Sequence, residues 1–259
     1  VDNVRGSSIT YSYVGALACA LQSTTVTYCE ISNVNISTSA QYLGAMAGSA
    51  ASTHVRYCTV CNNILTNSYT SSAYVGGFIG HWSGTTLTNS KVARNTITSS
   101  GNYVGGFAGF MTQSGVSFTL NDLVSDTCTV QGKSYVGGFA GQHSWSHGGS
   151  LKRGHIRGGS VTGTGDYVGG FCGLAGGLGI HNSSNSANVV GVNEVGGFVG
   201  RKQGANFQYN KNTGDVTGNN YVGGLIGQEQ TAQYPAQILY SVNAGRVKGN
   251  NYVGGLRGY

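Results

Sequence analysis

Residues 103–109 read YVGGFAG, and residues 135–141 read the same seven letters. Glycine loses more conformational freedom on folding than any other residue, so a phrase repeated around an adjacent glycine pair has a structural reason to exist. Working outward, variants of the phrase begin at Tyr13 (YVGALAC), Tyr42 (YLGAMAG), Tyr74 (YVGGFIG), Tyr103, Tyr135, Tyr167 (YVGGFCG), Glu194 (EVGGFVG), Tyr221 (YVGGLIG) and Tyr252 (YVGGLRG). Successive starts lie 27–32 residues apart. Self-similarity at such a period marks a repeat architecture. The copies leave no room for a second domain, so residues 1–259 read as one repeat domain. Because the chain starts at Val1 and shows no signal peptide, it also reads as a processed segment or fragment of a longer chain.

Composition selects the kind of repeat. Charged residues are 8% of the chain, Gly is 45 of 259 and Pro is one, while 39% is hydrophobic. That apolar content is too high and too well spaced for a disordered low-complexity chain. Helix formers are scarce, and Val, Thr, Tyr and Gly dominate. Between copies lie alternating runs such as SVTGTGDYV (160–168), GDVTGNNYV (214–222) and GRVKGNNYV (245–253), which read as short strands broken by Gly, Asn and Ser turns. Roughly three strands per period make one coil of an all-β, parallel β-solenoid, with coils about 4.8 Å apart. Nine coils of 27–32 residues then form a rod about 40 Å long. A β-propeller blade needs about 40 residues, more than the period supplies.

Substitutions within the phrase indicate side-chain direction. The second position is always Val or Leu, and the fifth is Leu17, Met46, Phe78, Phe107, Phe139, Phe171, Phe198, Leu225 or Leu256. Both are expected in the core, with the five phenylalanines stacked as a ladder. The sixth position accepts Arg257 and is expected to face out. The first accepts Glu194, so Tyr74, Tyr103, Tyr135, Tyr167, Tyr221 and Tyr252 are expected as an outer ladder, continued by Tyr13 and Tyr42. Inward positions three apart break strand alternation. A bend at the glycine pair, using glycine's conformational range, reconciles them. Asn102, Asn220 and Asn251 precede the phrase, where Asn suits a turn.

The unit x-Y-V-G-G-L/F-x-G, preceded by a V-x-G-x-x strand and turn, resembles the GLUG motif. That motif occurs in repeat regions of secreted and surface proteins, including bacterial adhesin-like proteins and some immunoglobulin A peptidases. The resemblance covers nearly all the chain and implies an extracellular β-solenoid stalk or adhesive region. It implies no peptidase activity, since the sequence contains no H-E-x-x-H. The first two copies depart from the pattern, with Ala16 and Ala45 replacing the second glycine, as in an atypical terminal section.

Cys29 and Cys58 each lie 16 residues after the start of a phrase copy, at the same place in adjacent coils. Stacked positions about 4.8 Å apart fall within the Cα window of a disulfide, so this bond is expected. Cys58 and Cys61 also form C-x-x-C, but neither a thioredoxin-like context nor a second ligand pair accompanies it. The pairing of Cys19, Cys61, Cys128 and Cys172 stays open.

Little in the sequence points to catalysis or to a cofactor. Of eight acids only Asp122 and Asp126 are close in sequence, and glycoside hydrolysis needs two neighbouring carboxylates. Ser146-His147-Gly148 is similar to a triplet of the polygalacturonase family, whose N-T-D, D-D and R-I-K companions are absent. His143 and His147 stand four apart in a loop rather than on a helix, which argues against a metal pair. The GLAGGLG run at 173–179 has no lysine for a phosphate loop. Loops after the phrase carry His81, Trp82, Phe110, Met111, His143 and Trp145, a candidate aromatic stripe for glycans or a partner protein. Asn35 and Asn182 open N-x-S/T sequons.

The net charge of +6 is scattered, with its densest group at Lys152, Arg153, His155 and Arg157. No basic run is long enough for nucleic acid, and no stretch approaches the ~18 apolar residues of a membrane helix. These readings converge on an extracellular or cell-surface structural protein, a subunit of a filament, stalk or fibre. Its chief partner is expected to be itself, the two partial end coils completing each other head to tail. The alternative is an adhesin-type module binding glycans or host protein through the aromatic loops. Remoter readings are a polysaccharide-degrading β-helix enzyme and an ice-binding solenoid.

Overall fold

The computed structural model describes residues 5–9, 12–112, 119–144, 149–204, 206–230 and 237–259. These residues form a parallel β-solenoid with no helix among them, so no helix is long and apolar enough to cross a membrane. One coil shows the plan. Tyr74–Gly76 lies in a first sheet, Ile79–Ser83 in a second, Thr86–Ala93 in a third and Thr96–Ser99 in a fourth, after which Val104–Gly105 re-enters the first sheet one level along. Among the described residues the first and fourth sheets each contain nine strands, the second eight and the third 13.

Two expectations about the coil are corrected. Each coil has four or five strands, not three. In five coils the third-sheet strand divides in two at a residue of left-handed φ: Tyr28, Tyr57, Asn182, Tyr209 or Tyr240. Asn89, Asp122 and Arg153 take the same conformation at the same level, but there the strand assignment runs through. The number of complete turns also falls short of nine. Nine phrase strands stack in chain order, but the ninth copy has only its phrase.

Register is kept along the whole rod. Val14, Leu43, Val75, Val104, Val136, Val168, Val195, Val222 and Val253 pair in one continuous column. All but Val253 are buried. The fifth position is buried from Met46 to Leu225 and exposed at Leu17 and Leu256, the ends of the ladder. Phe78 and Phe107 stack with ring centres 5.7 Å apart, and Phe171 and Phe198 at 4.7 Å. Each such side chain contributes about 1.5–3 kcal/mol on burial. The sixth position does not face out as expected. Ala47, Ile79, Ala108, Ala140, Cys172, Val199 and Ile226 are all buried there, and Arg257 is exposed because it sits on the last level.

The glycines of the phrase are required by close approach, not by special φ. None of them has positive φ; the first-position residues Tyr103, Tyr135, Tyr167, Glu194, Tyr221 and Tyr252 do. A Cβ on the first glycine would meet the phrase's own sixth carbonyl, 2.0 Å away for Gly105 and Ala108 O. A Cβ on the second would meet the next coil's second glycine, 2.1 Å away for Gly106 and Gly138 O. A Cβ on the seventh would meet the preceding coil's phrase strand, 2.3 Å away for Gly109 and Val75 N. Hydrogen bonds to the next coil meanwhile continue through the bend, from Gly77, Phe78 and Ile79 N–H to Gly105 and Phe107 carbonyls.

One inward column changes chemistry along the rod. In the third sheet Ile31, Val60 and Val92 share a register with Ser125, Ile156, Asn185, Asn212 and Asn243. Asn185 Nδ2 donates to Asn212 Oδ1 at 2.8 Å, and Asn212 Nδ2 to Asn243 Oδ1 at 2.8 Å. Each amide also donates to a carbonyl two residues ahead in its own coil. A buried polar column of this kind is tolerated because every member is hydrogen-bonded.

Candidate functional site

The phrase's first position builds the most extended surface feature. Tyr13, Tyr42, Tyr74, Tyr103, Tyr135 and Tyr167 form a stack of six rings with centroids 4.6, 5.0, 5.1, 4.7 and 4.5 Å apart. Tyr221 and Tyr252 resume it at 4.7 Å. A tyrosine in the left-handed region costs about 1–3 kcal/mol, and ring-on-ring packing offsets about 0.5–1.5 kcal/mol per pair. Partial burial, together with the neighbouring phenols, raises the pKa of Tyr42, Tyr74 and Tyr103. Tyr135 and Tyr167 shift the same way. These five phenols therefore stay protonated and present hydroxyl donors at neutral pH.

A second column runs beside the first, one residue after the phrase. Ser49, His81, Phe110, Gln142, Leu174, Arg201 and Gln228 share its register. Phe110 packs on Tyr74 at 5.3 Å and on Tyr103 at 5.6 Å, and His81 stacks on Phe110 at 5.6 Å. Burial lowers the His81 pKa, so its ring is neutral at physiological pH.

Glu194 interrupts the tyrosines and is itself buried. Arg201 grips it with two hydrogen bonds, Nη2 to Oε1 at 2.6 Å and Nε to Oε2, and donates from Nη2 to Gln228 Oε1 at 3.1 Å. The same guanidinium lies 4.6 Å from the Tyr167 ring centre, a cation–π contact where the next ring would stack. Burial pushes the Glu194 carboxyl up despite Arg201. Below it, side-chain amides form a chain: Asn251 donates to Asn220, Asn220 to Asn193 and Asn193 to Asp166, at 2.7, 2.7 and 2.8 Å.

The six residues of the expected aromatic stripe part company. Of the five that are described, His81 and Phe110 reach the outer column. Trp82, Met111 and His143 are buried, because they alternate with that column and point inward. Trp145, with Ser146, His147 and Gly148, lies outside the described residues. His143 Nδ1 is 3.0 Å from Gly176 O, and burial pulls its pKa down to about 4. Among the described residues no group of three His, Cys, Asp or Glu side chains is placed to hold a metal ion.

The expected Cys29–Cys58 disulfide is absent; all six cysteines are free. The two residues do stand side by side, since Thr59 pairs with Glu30. The Cys58 thiol reaches toward Cys29 across the coils, with Sγ 3.6 Å from Val26 O and 3.2 Å from Arg56 O, while Cys29 Sγ lies 3.5 Å from Thr27 O. Cys61 Sγ bonds Glu30 Oε1 at 3.7 Å, while Cys58 bonds backbone carbonyls, so the C-x-x-C thiols do not converge. Asp122 and Asp126 are held below the ordinary carboxylate range, chiefly by hydrogen bonds from Arg153 and Lys91. Asn35 and Asn182 are both exposed, the first within the strand Asn35–Thr38 and the second at a third-sheet corner.

Sequence reasoning missed the Glu194–Arg201 pair. The signal was there, since the phrase whose first residue is acidic is the one followed by arginine at its eighth position. No family model matches the chain, and neither a curated protein nor a solved structure matches it.

Proposed function

We propose that this chain is a structural protein, a rigid segment of an extracellular stalk, fibre or surface filament. The observation that carries the reading is the unbroken register of nine phrase strands, with valine inside and tyrosine outside at successive levels. Contacts run from each coil to the next, which is how a solenoid adds length without changing cross-section. The low charge and the wealth of Ser, Thr, Asn and Tyr support a location outside the cell, as does the phrase's likeness to the GLUG motif. Self-association along the rod or side by side belongs to the same proposal.

An adhesin-type role draws less support. Glycans are held by the open faces of aromatic rings, whereas these tyrosines cover one another's faces and offer edges and hydroxyls. A hydrolase role draws less again, because Asp122 and Asp126 are held ionised and suit surface ion pairing better than proton donation. Immunogold labelling of the intact source with an antibody to the purified chain tests the proposal. Gold on surface appendages or matrix supports it; gold confined to the cell interior overturns it.

A further inference from the structure

The third-sheet corner carries a column of eight residues in the left-handed conformation: Tyr28, Tyr57, Asn89, Asp122, Arg153, Asn182, Tyr209 and Tyr240. Asn and Asp adopt that conformation readily, whereas a bulky aromatic residue there is an outlier. Tyrosine nevertheless occupies the corner twice, each time in two adjacent coils. Tyr209 and Tyr240 stack at 4.9 Å with ring planes 9° apart, and Tyr28 and Tyr57 at 5.1 Å and 7°. Unlike the phrase tyrosines from Tyr42 to Tyr221, which are half-buried, they project into solvent, with 55% and 76% exposure in the first pair and 78% and 50% in the second. A strained choice of residue at an exposed position is where a functional demand shows.

We infer that these corner pairs are sites of oxidative tyrosine cross-linking, each able to form one dityrosine rung between adjacent coils of the same chain. The ring centres already lie close to the separation found in a directly linked biaryl. Exposed rings have room to turn about χ2, whose energy profile is broad. A haem peroxidase acting with hydrogen peroxide supplies the oxidant. Each phenol loses one electron and one proton, and the two phenoxyl radicals join through a new bond between ring carbons ortho to the oxygens. The two displaced ring hydrogens return to the oxygens as the rings regain aromaticity. Overall, two tyrosines and one hydrogen peroxide give one dityrosine and two waters.

The two pairs differ in one respect that sharpens the inference. Tyr28 and Tyr57 are each followed by a cysteine, Cys29 and Cys58, and thiols reduce tyrosyl radicals. Tyr209 and Tyr240 are followed by Asn210 and Ser241, which do not. The Tyr209–Tyr240 rung is therefore expected to form first, and the other to catch up once both cysteines are replaced by serine. The inference does not depend on the rod's biological role.

The test treats the purified chain with a haem peroxidase and limiting hydrogen peroxide, then maps linked tryptic peptides by tandem mass spectrometry. The expected result is a single-chain link between the peptides holding Tyr209 and Tyr240, two hydrogens lighter than their sum. Monomer mobility on a denaturing gel should be retained. Tyr240→Phe should abolish that link and leave the circular dichroism spectrum unchanged. The inference is overturned by absence of dityrosine, by links only between chains, by links spread evenly over the phrase tyrosines, or by an unchanged yield in Tyr240→Phe.

Discussion

The Arg201 guanidinium carbon lies 4.6 Å from the centre of the Tyr167 ring, at the one interior level where the outer column has no tyrosine. It closes the gap by doing two things at once, stacking on the ring and neutralising Glu194. Removing it leaves a buried carboxylate with Asp166 nearby, whose charge already raises the Glu194 pKa. Arg201→Ala should cost about 1–3 kcal/mol near neutral pH, the penalty of an unpaired buried acceptor discounted for partial exposure.

That deficit should depend on pH in a defined direction. Glu194 has a raised folded-state pKa, so its contribution is fully present below the unfolded value of 4.5 and is lost as pH rises through the folded value. Without Arg201 the folded pKa rises further. Urea midpoints of wild type and Arg201→Ala should therefore converge as the carboxyl protonates, toward about pH 4, and separate near pH 7.

The glycine pair offers a within-motif comparison. A Cβ on Gly106 would lie 2.1 Å from the carbonyl oxygen of Gly138 and could be relieved only by parting the coils. Gly255 holds the same position in the last phrase and meets nothing within 4 Å. Gly106→Ala should destabilise by about 3 kcal/mol, and Gly255→Ala by no more than about 0.5 kcal/mol. Thermal or denaturant unfolding of the two variants measures the difference.

Much of this architecture is legible in the sequence. The period, composition and nine copies of the phrase indicated a parallel β-solenoid, and Val104 and Phe107 were correctly placed inside. The errors have physical causes. Arg257 misled the reading of the sixth position because the end level has no covering coil. The loops holding Trp82, Met111 and His143 proved to be strands, whose alternation turns these side chains inward while His81 and Phe110 face out. The phrase glycines suggested unusual φ, yet within the phrase the left-handed residues are first-position tyrosines and Glu194, and only packing between coils reveals that. Equivalent spacing placed Cys29 beside Cys58, where the register puts them.

His143 supplies a second pH-dependent feature. It is fully buried, and burial lowers its pKa from 6.5 to about 4. A depressed pKa makes neutral His143 a source of stability above the unfolded value, lost as pH falls from about 6.5 toward 4. The full effect is about 3 kcal/mol. Met111 occupies the adjacent level of the same column. His143→Met should flatten the stability profile over that window, as read from denaturant midpoints at a series of pH values.

Thiol reactivity should follow burial. Cys19 is exposed, whereas Cys172 is fully buried and its pKa is pushed up to about 12. Brief alkylation of the native chain, followed by peptide mapping, should modify Cys19 and spare Cys172. Both should react after unfolding in guanidinium.

The central claim is that successive phrases add equal increments of length to one straight rod. Outward positions Thr66, Thr98, Gln131, Thr162, Val190, Thr217 and Lys248 stack in one column of the fourth sheet. Spin labels at Thr66 paired with Val190, Thr217 or Lys248, read by double electron–electron resonance, test it directly. The account predicts narrow distributions centred near 19, 24 and 29 Å, growing by about 4.8 Å per coil. Broad distributions, or distances that fail to grow with each coil, would contradict it.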